Sequence, residues 1–508
     1  MEVKKESITQ QVLKNSTWNF MLSLVNKFGG LIFTAVLARF LLPERFGAYS
    51  LILAYSVLFM SLGDLGINQT FTTFFSKELN NEKKARAYFK FLSRIKIFIT
   101  LFLSIAFIVV SYFLVKKTSI IPDLYSLILI FSIYVCFFSI TGFYVSFFYI
   151  YRKVKLDLIK ETLFQVLRLI FVLGIFLLFD EKYYLIGVFS TLSFCAVAMF
   201  LFVISFTKKL APFLYVSGDL AMIDKPRIFR FMIYLIVGSI SLVVFSEVDI
   251  LMLGFLIKDL AFVGYYRAYF TLIIGIAGLV SITPILLPIF SSFKKNRVGD
   301  AFKKVVKYSL LLNIPACFGI IVLGRYFIQL LYGPAYLAGS IVLYFLAFLI
   351  ISETLTNLLS MLFSAREKPK YIAYSLIVAT IMNIILCFVL ITYLSQFSLV
   401  WAICGAAIAT LISRFFYMFV LVFYSKKELN TSIPLNLIIK PIMASIIMAG
   451  IVFYYLSFII DMNILSGLIA VALGVLVYLG IMFLIGGLNK EDIDTFSYFW
   501  KKERIKTI

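Results

Sequence analysis

The sequence predicts an all-α, polytopic membrane protein of about fourteen transmembrane helices, arranged as two similar six-helix bundles followed by two further helices. Three observations predict this fold. Of the 508 residues, 62% are hydrophobic and only 14% are charged, whereas a soluble domain is closer to half apolar. Apolar windows long enough to cross a bilayer recur along most of the chain. A sequence repeat relates its two halves.

The apolar windows place the helices, because a membrane span needs about 20 predominantly apolar residues. An even number of spans predicts that both chain ends lie on the same side of the membrane. The predicted helices cover residues 15–40, 46–67, 95–115, 122–150, 158–179, 183–206, 230–256, 262–291, 305–332, 336–364, 370–394, 398–424, 437–460 and 463–487.

The distribution of lysine and arginine predicts which side that is. The segments that follow even-numbered helices are rich in basic residues, and the opposite set is poor in them. Basic loops face the cytoplasm, so we expect a protein of the cell membrane with both termini in the cytoplasm. The same topology accounts for the net charge of +22 without a nucleic-acid partner. The opposite set holds little beyond Arg45, Lys116, Lys117, Lys182 and Lys258.

The repeat appears in two stretches, "FGAYSLILAY" in predicted helix 2 and "VGYYRAYFTL" in predicted helix 8. They place Gly47 and Gly264 in register, 217 residues apart. Such repeats put the substrate site at the lobe interface near the middle of the membrane. The predicted units are an N-terminal lobe at 1–210, a C-terminal lobe at 211–428, and helices 13 and 14 with a cytoplasmic tail at 429–508.

The composition excludes several kinds of active site. The chain has no histidine, so histidine-based triads, metal sites and proton relays are excluded. The predicted outer loops are short and leave no room for a catalytic domain. We therefore expect a transporter without cofactor or metal rather than an enzyme. The five cysteines lie in apolar runs without a CxxC motif and are predicted to be core residues: Cys136, Cys195, Cys317, Cys387 and Cys404.

Three cations fall near the middle of predicted helices, where a charge is costly unless it faces protein or water. Lys27 lies about 16 Å along helix 1 at 1.5 Å per residue, in a hydrocarbon core about 30 Å thick. Arg168 in helix 5 and Arg414 in helix 12 lie at similar depths. Polar neighbours indicate inward-facing stripes, and the stripe residues include Asn19, Ser23, Asn26, Gly30, Thr34 and Gln165.

These cations predict a cavity that binds an anionic group and favour phosphate, because arginine offers a bidentate fork and lysine a compact charge. Internal ion pairing is the alternative, and Glu353 lies near mid-depth in predicted helix 10. For Glu247, Asp249 and Arg267, in the outer parts of helices 7 and 8, we favour an ion pair that closes an outer gate. A cation-coupling site is the alternative there.

The chain resembles the oligosaccharide flippases (Wzx type, polysaccharide biosynthesis proteins) of the multidrug/oligosaccharidyl-lipid/polysaccharide (MOP) superfamily. The stretches that carry the resemblance include "LARFLLPERFGAYSLILAY", "SLGDLGI", "LYGPAYLAGS" and "WAICGAAIATLISR". The resemblance implies two six-helix bundles in a V around a central cavity. It also implies movement of a polyprenyl-(pyro)phosphate-linked glycan across the membrane, in a pathway shared with glycosyltransferases or a polymerase. By depth, the implied phosphate-binding residues are Lys27, Arg168 and Arg414.

Two other functions stay open on sequence grounds. A cation-coupled multidrug antiporter on the same fold would need acidic cavity residues, and related multidrug exporters typically carry one in the first lobe. Predicted helix 1 has no acidic residue. A membrane glycan polymerase or glycosyltransferase would need a longer outer loop to carry its catalytic groups.

Overall fold

The protein is described by a computed structural model over residues 8–118, 124–216, 223–281, 298–366, 368–429, 431, 434, 436–459 and 463–488. Over these residues it is helical, and 13 segments are long and apolar enough to cross a membrane. The first of them, Thr17–Lys77, is 61 residues long and contains two of the predicted spans. The all-α, polytopic fold class is therefore confirmed.

The long helices follow the predicted order, with shifts of several residues at some ends and a further helix, Ile67–Lys77, after the second span; two other differences stand out. One is that α3 begins at residue 82 rather than 95. The other is that predicted helix 10 is divided into a 3₁₀ turn, Pro334–Gly339, and two helices. The last part of predicted helix 8, residues 282–291, and the tail beyond 488 lie outside the described residues. The helices are α1 (Ile8–Asp64), α2 (Ile67–Lys77), α3 (Glu82–Thr118), α4 (Leu124–Ile150), α5 (Val154–Leu178), α6 (Tyr184–Leu210), α7 (Lys225–Leu256), α8 (Leu260–Val280), α9 (Val298–Leu331), α10 (Val342–Leu346), α11 (Leu349–Ala365), α12 (Lys370–Leu394), α13 (Leu399–Leu429), α14 (Asn436–Ser457) and α15 (Ile464–Leu484).

A break at Leu42 divides α1 into a first arm, residues 8–41, and a second arm, residues 43–64. Leu42 takes φ 59° and ψ 168°, which no helical residue adopts. Pro43 follows and has no backbone N–H to continue the hydrogen-bond ladder. An unbroken helix of 57 residues would be about 86 Å long, several times the thickness of the hydrocarbon core. The break therefore allows two membrane crossings.

The first arm runs alongside α5 in the same direction. Near its start, the amine of Lys155 lies 5.6 Å from the centre of the Trp18 ring. Near its end, Phe40 stacks on Phe176 with ring centres 4.6 Å apart.

The second arm runs alongside α4 instead. A Cβ added to Gly63 would lie 3.1 Å from the Ser139 hydroxyl oxygen. Further along, Phe71 of α2 contacts Phe143 with ring centres 4.6 Å apart. A short turn joins α4 to α5, so these two helices run in opposite directions. The chain therefore reverses at Leu42, as the two predicted spans require.

The repeated glycines meet each other where the second arm crosses α8. A Cβ added to Gly47 would lie 1.9 Å from the backbone oxygen of Leu260, and one added to Gly264 would lie 2.1 Å from that of Pro43. Leu260 follows Pro43 by the same 217 residues that separate the glycines. Equivalent residues of the two halves thus make the same glycine-to-backbone contact in both directions. A pseudo-two-fold relation between the halves predicts this. The division into lobes at 1–210 and 211–428 remains a proposal.

Buried tyrosines pack around this crossing and hold the two halves together. Tyr336, in the 3₁₀ turn, is fully buried and donates its hydroxyl to the backbone oxygen of Ala38 at 3.0 Å. Tyr269 of α8 donates to the backbone oxygen of Tyr336. Phe46 is also fully buried and contacts Tyr336 edge to face. This packed end closes one side of the cavity described next.

Candidate functional site

A cavity of about 950 Å³ lies between the two halves of the chain. Its walls come from both arms of α1 and from α2, α7, α8, α11, α12 and α13. Phe46 and Tyr49 line it next to the glycine crossing, and Gln69 and Pro369 line it at the opposite end. The volume lies near the upper end of the range for small-molecule sites, about 300–1,000 Å³. The described part of the cavity could hold a polar headgroup.

The described lining of the cavity carries one more positive charge than negative charge. Among the described residues that line it, five are charged. The Arg267 guanidinium pairs with Glu247 at 2.9 Å, and the Arg414 guanidinium pairs with Glu353. Lys27 forms no ion pair with any described residue. It therefore supplies the uncompensated charge.

Lys27 sits on the cavity wall, held tightly between α1 and α8. Its ammonium donates to the backbone oxygen of Gly278 at 3.0 Å. A Cβ added to Gly278 would lie 2.7 Å from the Lys27 Cδ, so glycine makes room for the lysine stem. An ammonium has three N–H donors and a carbonyl accepts one of them. The sequence predicted that Lys27 faces a cavity, and the remaining donors can meet an anionic ligand there.

Arg414 forms an internal ion pair, which is the alternative that the sequence left open. It is 9% exposed and lies between the rings of Phe245 and Phe270, whose centres are 5.2 Å and 5.6 Å from its guanidinium carbon. Its partner, Glu353 on α11, also lines the cavity. Arg414 thus lines the cavity with its charge neutralised by Glu353, and its role in substrate binding remains a prediction.

We expect Arg414→Met to lower the free energy of unfolding by about 3 kcal/mol, because it leaves the Glu353 carboxylate without its partner. Arg414→Met combined with Glu353→Met should be close to the wild-type protein in stability. Thermal unfolding of the detergent-purified variants tests this. The control is Lys182→Met, which removes an exposed pair with Asp180 at 4.0 Å and should have little effect. A double variant as unstable as the single one would contradict the pairing.

The second ion pair is not a clasp between the halves. Arg267 on α8 and Glu247 on α7 both belong to the C-terminal half, so the pair cannot itself close a gate between lobes. Asp249 takes no part in it. The Asp249 carboxylate is 2% exposed and accepts from the Tyr266 hydroxyl at 2.7 Å and the Asn383 amide at 3.2 Å. A coupling role for these acidic residues remains a prediction.

Arg168 lies away from the cavity, behind the first arm of α1. Its guanidinium carbon is 4.1 Å from the centre of the Phe33 ring and 5.1 Å from that of Phe164. It donates to the side-chain oxygen of Gln165. Arg168 and Gln165 are absent from the described cavity lining. The expectation that Arg168 and Lys27 share one cavity is therefore not met.

Helix geometry explains this difference. Successive residues of an α-helix point about 100° apart. Asn26 faces α5, where its side-chain oxygen lies 3.5 Å from the Gln165 amide nitrogen, whereas Lys27 faces α8. Asn19 is exposed and, like Asn26, lies outside the described cavity lining. The polar stripe predicted on helix 1 thus covers two faces, and only the Lys27, Gly30 and Thr34 face lines the cavity.

Sequence reasoning missed one feature of the site and one buried charge outside it. One is a row of hydroxyl side chains on α11, which the four-residue spacing of Ser352, Thr356, Ser360 and Ser364 could have indicated. The other is Lys96, which is 1% exposed and donates to the backbone oxygen of Gly63 at 2.9 Å. Lys96 falls at the start of the predicted third span, so its burial had no signal in the sequence.

Comparison with known families finds that residues 12–294, more than half of the chain, match the family model described as polysaccharide biosynthesis protein. The chain is also 24% identical over 262 residues to a probable low-salt glycan biosynthesis flippase, Agl15, of Haloferax volcanii. That alignment covers 51% of this chain and 54% of the relative. The chain thus spans about half the length of the curated relative it matches.

Solved structures with the same fold include a lipid II flippase, MurJ, in an inward closed conformation. Its TM-score is 0.73 at 18% identity, over 93% of this chain and 98% of that one. An inward-facing multidrug resistance MATE family transporter of the MOP superfamily gives a TM-score of 0.58 at 11% identity, over 80% of this chain and 94% of that one. A MOP superfamily transporter from Pyrococcus furiosus gives a TM-score of 0.54 at 12% identity, over 83% of this chain and 96% of that one. At these identities the likeness shows the fold alone.

Proposed function

Because the chain belongs to the polysaccharide biosynthesis protein family, we propose that it is a flippase for a polyprenyl-(pyro)phosphate-linked oligosaccharide. It moves this substrate from the cytoplasmic to the outer leaflet by alternating access, for the assembly of a surface polysaccharide or glycan. The partial match to a glycan biosynthesis flippase and the fold shared with a lipid II flippase support this proposal.

The observation that carries the proposal is Lys27, a cation with spare donors and no described carboxylate partner, in a cavity between the two halves. Such a group binds an anion far better than a cation. Lys27 also lies below the packed glycine crossing, so a ligand enters from the end lined by Gln69 and Pro369. The basic loops favour a cytoplasmic position for that end. The phosphate would contact Lys27 while the lipid tail stays in the bilayer.

The membrane potential can drive this direction of movement. Moving charge across the membrane is worth about 2.3 kcal/mol per elementary charge per 100 mV. Two negative charges that leave a negative interior therefore gain roughly 4–5 kcal/mol at 100 mV. The lobes, 1–210 and 211–428, would rock about the crossing of Gly47 and Gly264. Glycosyltransferases or a polymerase of the same pathway would supply and consume the substrate.

A multidrug antiporter is the rival, and the charge of the cavity disfavours it. The cavity carboxylates, Glu247 and Glu353, are each paired with an arginine. No described carboxylate of the lining is therefore left for a cationic drug.

Transport by the purified protein in vesicles separates the two functions. We expect it to move a fluorescent lipid-linked oligosaccharide between leaflets, measured as loss of protection from an impermeant quencher, faster than in protein-free vesicles. A cationic dye should not be transported. Export of the dye, with the lipid-linked oligosaccharide left in place, would overturn the proposal.

A further inference from the structure

One wall of the cavity is polar but uncharged over most of its length. The α11 face that lines the cavity carries Ser352, Thr356, Ser360 and Ser364 at four-residue spacing, with Asn357 between them. From first to last this row extends about 18 Å. In a helix surrounded by apolar side chains, such a row gives the cavity a wall of neutral hydrogen-bonding groups.

These groups keep hydrogen-bonding capacity for a ligand. The Thr356 hydroxyl donates to the backbone oxygen of Ser352 at 2.6 Å, which leaves its oxygen free to accept. Asn357 is exposed, and its amide nitrogen has only a long contact of 3.4 Å to the Glu353 carboxylate. An amide and a hydroxyl each act as donor and acceptor, which matches the hydroxyl groups of a sugar more fully than a phosphate dianion, which only accepts.

The fold itself does not require this polarity. Shifting the row back by the 217-residue repeat brings its four hydroxyl positions onto Val135, Ser139, Phe143 and Phe147 of α4. Three of those four residues are apolar. The polar face is therefore a property of the C-terminal half rather than of the helix's place in the bundle.

A second, independent feature of the same wall indicates a ligand. Arg414 is nine-tenths buried and lines the cavity, yet its Nε has no hydrogen-bond partner among the described residues. An unpartnered buried N–H is costly, so a shift of the Arg414 side chain that brings its covered Nε to a ligand oxygen would be favoured. The rings of Phe245, Phe270 and Tyr417 line the cavity near it and offer apolar surface to the C–H faces of sugar rings.

We propose that this wall, the cavity face of α11 together with the Arg414–Glu353 pair, is the glycan-binding subsite of the protein. It binds the uncharged sugars of the substrate while Lys27 binds the phosphate, and so it rests on the proposed flippase function. The row is longer than a single sugar, which fits an oligosaccharide. The subsite makes α11 the element that selects which glycan is carried.

The test compares two probes: sugar-free polyprenyl phosphate, and the lipid-linked oligosaccharide fraction extracted from membranes of the cells that make this protein. We expect the wild-type protein to bind the glycan-loaded probe more tightly. Thr356→Val, Asn357→Leu and Ser360→Ala combined should weaken that binding about tenfold or more, since each removes one hydrogen bond. The affinity for the sugar-free probe should not change, which also shows that the variant is folded.

A matched control removes the same kinds of group outside the cavity: Thr162→Val, Ser205→Ala and Gln396→Leu, all exposed. It should bind both probes as the wild-type protein does. If the α11 variant retains its affinity for the glycan-loaded probe, the subsite is wrong although the flippase function can stand. If the wild-type protein binds neither probe, the proposed function fails and the subsite fails with it.

Discussion

Lys27→Gln should reduce the rate of transport by roughly ten- to a hundredfold, because a hydrogen bond to a charged group contributes about 1.5–3 kcal/mol. Lys27→Glu should abolish transport, since it would place a carboxylate against the substrate phosphate. Lys27→Arg should retain only part of the wild-type rate. The guanidinium of arginine is wider than the ammonium of lysine, and the Lys27 side chain already lies against Gly278. The initial rate in vesicles, at equal protein content, is the measurement.

The control for this prediction is Asn26→Ala. Asn26 is adjacent to Lys27 in the sequence but faces α5, so its loss should leave transport close to the wild-type rate. If Lys27→Gln transports as fast as Asn26→Ala, the charge of Lys27 has no part in binding the substrate.

Gly47→Ala and Gly264→Ala should each stop transport almost completely. A β-carbon at Gly47 would lie 1.9 Å from the backbone oxygen of Leu260, and one at Gly264 would lie 2.1 Å from that of Pro43. Backbone atoms cannot rotate away, so the crossing must separate and the conformation described here cannot form. A transporter confined to the remaining conformations cannot complete its cycle.

Thiol accessibility measures this separation directly. Ser50 is fully buried one turn from Gly47, and Ser50→Cys changes little in size. In the otherwise wild-type protein this cysteine should resist an impermeant thiol reagent, and adding Gly47→Ala should expose it. Gly174→Ala is the matched control, because a β-carbon there has no neighbour within 4 Å. Full transport by both crossing variants would show that the close contact is not needed.

The fold could be predicted from sequence because lipid imposes a simple rule: each crossing must satisfy its backbone in a helix about 20 residues long. The bounds were harder to predict where a helix leaves the membrane. The start of α3, Glu82–Arg94, is too charged to register as a span, yet it continues the same helix. The division of predicted helix 10 depends on packing of the 3₁₀ turn Pro334–Gly339 against α1 and α8.

The site was only partly predictable, for a geometric reason. Counting residues from the start of a helix predicts the depth of a side chain, and the count predicts similar depths for Lys27, Arg168 and Arg414. The count does not give the direction in which the side chain points, and that direction separates Lys27 from Arg168. The ion pair between Glu353 and Arg414 could not be predicted by counting either, because the two residues lie on different helices, 61 residues apart in the sequence.

The most direct test of the account is the binding of sugar-free polyprenyl phosphate to the purified protein and to its Lys27→Gln variant. This probe carries the phosphate and the lipid without the glycan, so it isolates the group assigned to Lys27. We expect Lys27→Gln to weaken binding by about tenfold or more, while Asn26→Ala leaves it unchanged. Equal affinity of Lys27→Gln and the wild-type protein would contradict the proposal that Lys27 receives the phosphate.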